Sequence, residues 1–162
     1  MKMKYIVLLL LLVAGCSRQP KEFPELVPTG GLPDGYSWEL SDGPDFYVYH
    51  GVGTSSNSGV GIYFGMHPAP EDDQPSRIER GALGPVSVQW DVLDGSTNYR
   101  VGFYRRCLVP FRQSSKHEKI ALHAWVFADT EPEVTALQES LKSMTLEETT
   151  YEERRKSRHV PK

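Results

Sequence analysis

The clearest alternation of apolar and polar positions lies at Val86, Val88, Trp90 and Val92, with Ser87, Gln89 and Asp91 between them. That period of two is the mark of a half-buried strand. The same period recurs at Val60, Ile62, Phe64 and Met66 against Gly61, Tyr63, Gly65 and His67. It appears again at Tyr99, Val101 and Phe103 against Arg100, Gly102 and Tyr104. Two further runs, Tyr36 to Leu40 and Phe46 to His50, are rich in strand-favouring side chains and bounded by turn formers. The glycine- and serine-rich stretch 51–59 reads as a long hairpin loop. Asp94-Gly95 is a stronger, shorter turn signal, which predicts that the strands around Val92 and Val101 pair antiparallel.

Ile120 to Phe127 is apolar on nearly both faces, which predicts a central strand with a helix against one side. That helix follows directly in the chain. Thr130-Glu131-Pro132-Glu133 combines a capping Thr, a Glu three residues on and an early Pro. Val134, Leu137, Leu141 and Met144 then make one apolar stripe, so a helix is expected from Glu131 to about Met144. The sum is an α+β fold, an antiparallel sheet of about six strands with one C-terminal helix packed on it, over residues 36–146. Small exported folds of the PsbP or Mog1 type share that outline, as an analogy of architecture that rests on no motif.

The flanks of this domain read differently. Between Ser17 and Gly35 stand Pro20, Pro24, Pro28 and Pro33 with Gly30, Gly31 and Gly35, a composition that favours an extended tether over 16–35. Those residues would span roughly 60 Å at about 3.1 Å each. Phe23, Leu26 and Val27 leave the alternative that part of the tether packs on the domain. Residues 147–162 place Glu147, Glu148, Glu152 and Glu153 before Arg154, Arg155, Lys156 and Arg158, either a solvated charged tail or a contact for phosphates or an acidic partner.

The first segment has its own logic. Lys2 and Lys4 precede an apolar run from Tyr5 to Val13, and small Ala14 and Gly15 follow. That is the order of a secretory signal, and it is shorter than the roughly 18 residues that a membrane-spanning helix requires. Val13-Ala14-Gly15-Cys16 resembles the lipobox of bacterial lipoproteins. The resemblance covers the first 16 residues only, and the domain itself matches no family motif. It implies that residues 1–15 are a signal peptide removed by cleavage before Cys16. It also implies that the Cys16 thiol receives a diacylglyceryl group and its amine an acyl chain such as palmitate. In many Gram-negative lipoproteins an Asp after the cysteine holds the protein at the inner membrane, so Ser17 implies an outer-membrane address facing the periplasm. Two or three chains anchor a protein firmly where one holds only marginally.

Composition and charge narrow the rest. The chain has 162 residues with 39% hydrophobic and 24% charged, the values of one globular domain. Its net charge of -3 becomes -5 once Lys2 and Lys4 are lost with the leader. This balance argues against nucleic acid as a partner, and a chain acidic as a whole gains nothing from anionic headgroups. Cys107 is the only other cysteine, so an acylated Cys16 leaves it unpaired. It is either a small buried hydrophobe or, with Arg105 and Arg106 beside it, a thiol of lowered pKa.

Candidate chemistry is sparse. His50, His67, His117, His123 and Asp72-Asp73 offer metal donors but lack ligand spacing, and no cofactor motif is present. Thr54, Ser55, Ser56 and Ser58 sit in the long loop as turn formers, with no nucleophile elbow. Glu39, Asp42, Asp45, Asp91 and Asp94 would serve a hydrolase only by converging in space. The aromatics Trp38, Tyr47, Tyr49, Tyr63, Trp90, Tyr99, Tyr104 and Trp125 divide between core packing and a platform for a glycan, peptide or protein. The expectation is a non-enzymatic, membrane-anchored lipoprotein that binds or scaffolds an envelope protein or glycan. The alternative is a small envelope hydrolase using clustered carboxylates or Cys107.

Overall fold

The computed structural model describes residues 25–43, 45–53, 57–68, 74–94, 102–113 and 119–149. The strands in chain order are β1 (Glu25–Thr29), β2 (Ser37–Asp42), β3 (Phe46–Val52), β4 (Gly59–Gly65), β5 (Arg77–Leu83) and β6 (Val86–Asp94). After them come β7 (Phe103–Gln113), β8 (Lys119–Ala128), the helix α1 (Glu131–Ser140), a 3-10 turn at Leu141–Ser143 and β9 (Thr145–Thr149). Seven strands make one sheet in the order β2-β3-β4-β8-β7-β6-β5, while β1 and β9 form a separate two-stranded ribbon. Every pairing is antiparallel. The class is α+β, a mostly antiparallel sheet with a single C-terminal helix packed on it.

Two meanders, β2-β3-β4 and β5-β6-β7-β8, are joined where β8 pairs with β4. The apolar character of β8 on both faces explains its central place, and Ala124, Val126 and Ala128 on it are fully buried. Side chains of alternate residues fill the space under α1: Tyr47 and Tyr49 from β3, Ile62 and Phe64 from β4, Trp90 and Val92 from β6, and Cys107 from β7. Val134, Leu137, Leu141 and Met144 close the core from above, none more than 2% exposed. Each contributes roughly 2 kcal/mol of apolar burial. A polar bridge runs through the same layer. Buried Arg105 on β7 reaches Glu79 at 3.3 Å and Thr135 at 3.1 Å and donates to Gln138, so sheet and helix are also tied by charge-assisted bonds.

Several expectations are corrected in detail. The helix ends at Ser140 and its last predicted turn is 3-10. Thr130 occupies the N-cap with extended backbone, but its side chain makes no capping bond. Glu131 and Glu133 in the first turn supply the favourable charge there instead, and Thr135 Oγ1 donates back to the Glu131 carbonyl at 2.8 Å. The main sheet has seven strands, close to the six expected, and the ribbon brings the strands to nine among the described residues. The edge strand β5 has little alternation to read, with Ile78 exposed at 60% among charged neighbours. Asp94 and Phe103 are the last pair of β6 and β7, and Tyr99 and Val101 lie outside the described residues.

β1 and β9 redraw the domain boundaries. Residues 25–29, assigned by composition to the tether, pair with 145–149, and Leu26 joins the core at 4% exposure. The alternative that part of the tether packs on the domain is therefore the one observed. Gly30 and Gly31 turn the chain with φ of 64° and 68°, conformations that favour glycine. At Gly31 a Cβ would lie 2.4 Å from the Cβ of Met144, so the turn seats directly on the core.

Candidate binding face

The sheet face opposite α1 is covered by no helix among the described residues. The pairing register sets one transverse row across it: Glu39, His50, Gly61, Trp125, Arg106, Asp91 and Ile78, one residue from each strand from β2 to β5 in sheet order. Alternation along each strand places all seven on this side. The row joins an acid, an imidazole, an indole, a guanidinium and a second acid.

Trp125 is the centre of the row and owes its position to Gly61. A Cβ on residue 61 would lie 2.1 Å from both Cε2 and Cζ2 of the indole, so the ring occupies the volume that any other side chain would need. Gly59 does the same for Phe127, with a Cβ 2.7 Å from its ring. The half-buried indole is flanked by two imidazoles: exposed His50 at 6.4 Å and 72°, and buried His123 at 5.3 Å and 48° between ring planes. Phe46 and Tyr63 stack at 5.9 Å further along the same face, and Tyr63 accepts a hydrogen bond from the His67 amide at 2.9 Å. Burial raises the Tyr63 phenol above its ordinary value, opposed by that hydrogen bond and reinforced by Asp45.

The electrostatics follow from burial. Arg106 is 6% exposed and approaches Asp91 at 3.5 Å through Nε. Burial pushes the His123 imidazole down to about 4, and the Arg106 charge pushes the same way. His123 is therefore neutral at ordinary pH. Its Nε2 is buried without a hydrogen-bond partner among the described residues.

Other residues singled out by sequence are dispersed. Cys107 lies under α1, 2% exposed, and burial pushes its thiol up to about 12, opposite to the lowering expected from its arginine neighbours. Arg106 points to the other face of β7 and Arg105 is taken up by Glu79, Gln138 and Thr135. A thiol so protonated and so enclosed is a packing residue and a poor nucleophile. Glu39 and Asp91 share the transverse row but stand five strand spacings apart, roughly 24 Å. Asp42 falls on the α1 side of β2. A paired-carboxylate mechanism needs separations below about 10 Å, which Glu39 and Asp91 exceed.

His67 is exposed and lies 3.6 Å from Asp45. Ser58 is buried and bonds Tyr36 Oη at 2.8 Å. Among the described residues no group of three His, Cys, Asp or Glu side chains is placed to hold a metal ion. Cys16, Thr54, Ser55, Ser56, Asp72, Asp73, Tyr99 and His117 lie outside the described residues. Of the aromatics, Tyr47, Tyr49 and Trp90 are core and Trp38 is on the α1 side. Tyr104 is buried on the opposite face, which leaves Tyr63 and Trp125 partly open there.

The row itself was not apparent from sequence, because register between distant strands is invisible to local pattern. A trace exists in Gly59, Gly61 and Gly65, small residues at three of the four alternate positions of one strand, which mark a face where bulky neighbours approach the backbone. Comparison with family models, curated proteins and solved structures finds no match to this chain.

Proposed function

We propose that the chain is a lipid-anchored lipoprotein of the bacterial envelope whose α+β domain binds an envelope glycan on its open sheet face. The anchor rests on Val13-Ala14-Gly15-Cys16 after a basic start and a short apolar run. The binding reading rests on one observation above all, the Trp125 indole seated on Gly61 with His50, Glu39, Arg106 and Asp91 in the same row. A sugar ring presents apolar C–H faces and a rim of hydroxyls. An indole between hydrogen-bonding side chains complements both. Among the described residues the most exposed large apolar side chains of this face, Val52, Ile78 and Leu108, lie on three different strands.

Two measurements test this. Cys16→Ala with fractionation of cells addresses the anchor: the variant is expected to keep its leader uncut and to carry no acyl chains, and continued membrane association after normal processing contradicts the reading. Sedimentation with purified peptidoglycan sacculi addresses the face. Trp125→Ala and His50→Ala are expected to weaken sedimentation at least about tenfold, the effect of losing one good ring contact and one hydrogen bond. Sedimentation unchanged in both variants, or absent in the parent, contradicts glycan binding there.

A further inference from the structure

The large sheet ends in two edge strands, β2 and β5, beyond which no strand lies among the described residues. An edge presents backbone N–H and C=O groups with which another strand can pair. On β5 their direction follows from its hairpin to β6. Leu83 pairs with Val86 across the two-residue turn Gly84-Pro85, and a φ of 57° at Gly84 suits a type II′ turn. That closing pair exchanges its backbone bonds. Gly81, Glu79 and Arg77 therefore also bond toward β6, while Ala82, Arg80 and Ile78 turn their backbone groups outward. At its start the edge is turned in, because the Ser76 amide and hydroxyl both donate to the Val92 carbonyl, at 2.8 and 2.9 Å. Beyond its end the Gly84 amide donates to the Leu141 carbonyl at 2.9 Å. The outward-facing stretch is thus short, residues 77–82.

The side chains of that stretch complement themselves. Ile78, 60% exposed, is flanked by Arg77 and Glu79 on the α1 side. Two antiparallel copies of β5 related by a twofold axis can exchange backbone bonds only where outward-facing residues meet, which centres the pairing on a residue. Centred on Arg77, Glu79 or Arg80, the pairing sets that charge opposite its own copy. Centred on Ile78, it sets Ile78 against Ile78 and, twice over, Arg77 against Glu79. β2 has no such register, since its two charged residues, Glu39 and Asp42, are both acids.

We propose that a second copy of this chain pairs along β5, centred on Ile78, to give a twofold dimer in which the two seven-stranded sheets run on as one. Ile78 exchanges both backbone bonds with its copy, and the two side chains cover each other on the open face. Arg77 bonds Glu79 of its own strand at 2.9 Å and Glu131 at 2.8 Å. Those bonds hold its guanidinium on the α1 side of the edge, the side on which Glu79 of the second copy arrives. Charges along an edge deter foreign strands, and here they are matched by the chain itself. The axis stands perpendicular to the sheet, so both open faces look the same way and the two rows through Trp125 lie end to end. Few residues are covered. The contact falls at the small end of specific interfaces, below roughly 1,200 Å², and the dimer is a reversible one. It depends on neither the anchor nor the glycan.

The test is sedimentation equilibrium of the chain from Ser17 onward, which keeps every described element, at concentrations from about 10 μM to about 1 mM. A monomer–dimer equilibrium is expected. Ile78→Lys, at an exposed edge position, is expected to weaken association at least about tenfold while the unfolding transition stays in place. Arg77→Glu and Glu79→Arg each set like charges opposite one another and are expected to weaken it too. An equimolar mixture of these two variants opposes unlike charges at both places again and is expected to restore pairing. Glu79→Arg also takes a partner from Arg105; if it does not fold, Ile78→Lys and Arg77→Glu decide alone. Monomer throughout the range, dimer undiminished in Ile78→Lys or Arg77→Glu, or a mixture no more associated than its components overturns the proposal. Growth beyond the dimer, as head-to-tail pairing of β2 with β5 would give, overturns it as well.

Discussion

Trp125 rests on Gly61, its cross-strand neighbour on β4, so tightly that a Cβ at residue 61 would fall 2.1 Å from the indole. Glycine in a central strand costs conformational entropy and packing, and here the volume it leaves is taken up by the indole. Gly61→Val is expected to lift the indole out of the row. The loss is about 1–3 kcal/mol in urea unfolding, the range for overpacking a fitted site. The same variant is expected to lose sacculus binding, and retention of both stability and binding shows that the seat has no role.

His123 ties stability to pH. Its imidazole is held down to about 4 in the folded domain against about 6.5 in the unfolded chain. Between those values the unfolded chain carries the proton and the folded one does not, so acid favours unfolding. Stability is expected to be full above about pH 6.5 and to fall by roughly 3 kcal/mol as pH drops to about 4. His123→Gln flattens that part of the profile. Urea titrations across the range check it, and an identical slope in the variant rules His123 out.

Cys107 reports on opening of the core. In the chain from Ser17 it is the only thiol, 2% exposed and pushed up to about 12 by burial. Thiol reagents at mildly alkaline pH are expected to label it only as fast as the helix side of the sheet opens, and at once in denaturant. Rapid labelling of the folded domain would show a reactive thiol and revive the hydrolase alternative.

The ribbon makes residues 25–29 structural. Leu26→Ala is expected to cost about 2–4 kcal/mol, because Leu26 is 4% exposed and sits in the main core. A cost below about 0.5 kcal/mol, read from urea unfolding, returns this segment to the tether.

Arg105 joins sheet to helix. Arg105→Ala leaves Gln138 buried without its donor and removes one partner of Glu79, and about 3 kcal/mol is expected to be lost. Arg105→Met, which keeps the volume, is expected to recover part of that loss. Unfolding in urea separates the two cases, and equal stability of both variants and the parent contradicts a bridging role.

What the chain reveals before folding is set by the range of the interactions. Strands β3, β4, β6 and β8 were legible because each carries its own period or apolar run, and α1 because its stripe and early Pro are local. β5 was not, since an edge strand need not alternate. β1 and β9 were not, since each is stable only on the other and on the core, 116 residues apart at Thr29 and Thr145. The open face was legible only in part. Trp125 and Tyr63 stand in the sequence as aromatics open to core packing or to a platform, but the row through His50, Arg106 and Asp91 exists only once seven strands are in register.

A glycan bound on the Trp125 row would lie against its indole. The most direct measurement is a nuclear magnetic resonance titration of the chain from Ser17 with soluble peptidoglycan fragments, following the indole N–H signals, with that of Trp125 assigned through Trp125→Phe. With glycan bound there, the Trp125 signal is expected to move in a saturable way while the signal of Trp90, fully buried under α1, stays still. A Trp125 signal that does not move, or one that moves no more than that of Trp90, contradicts glycan binding there.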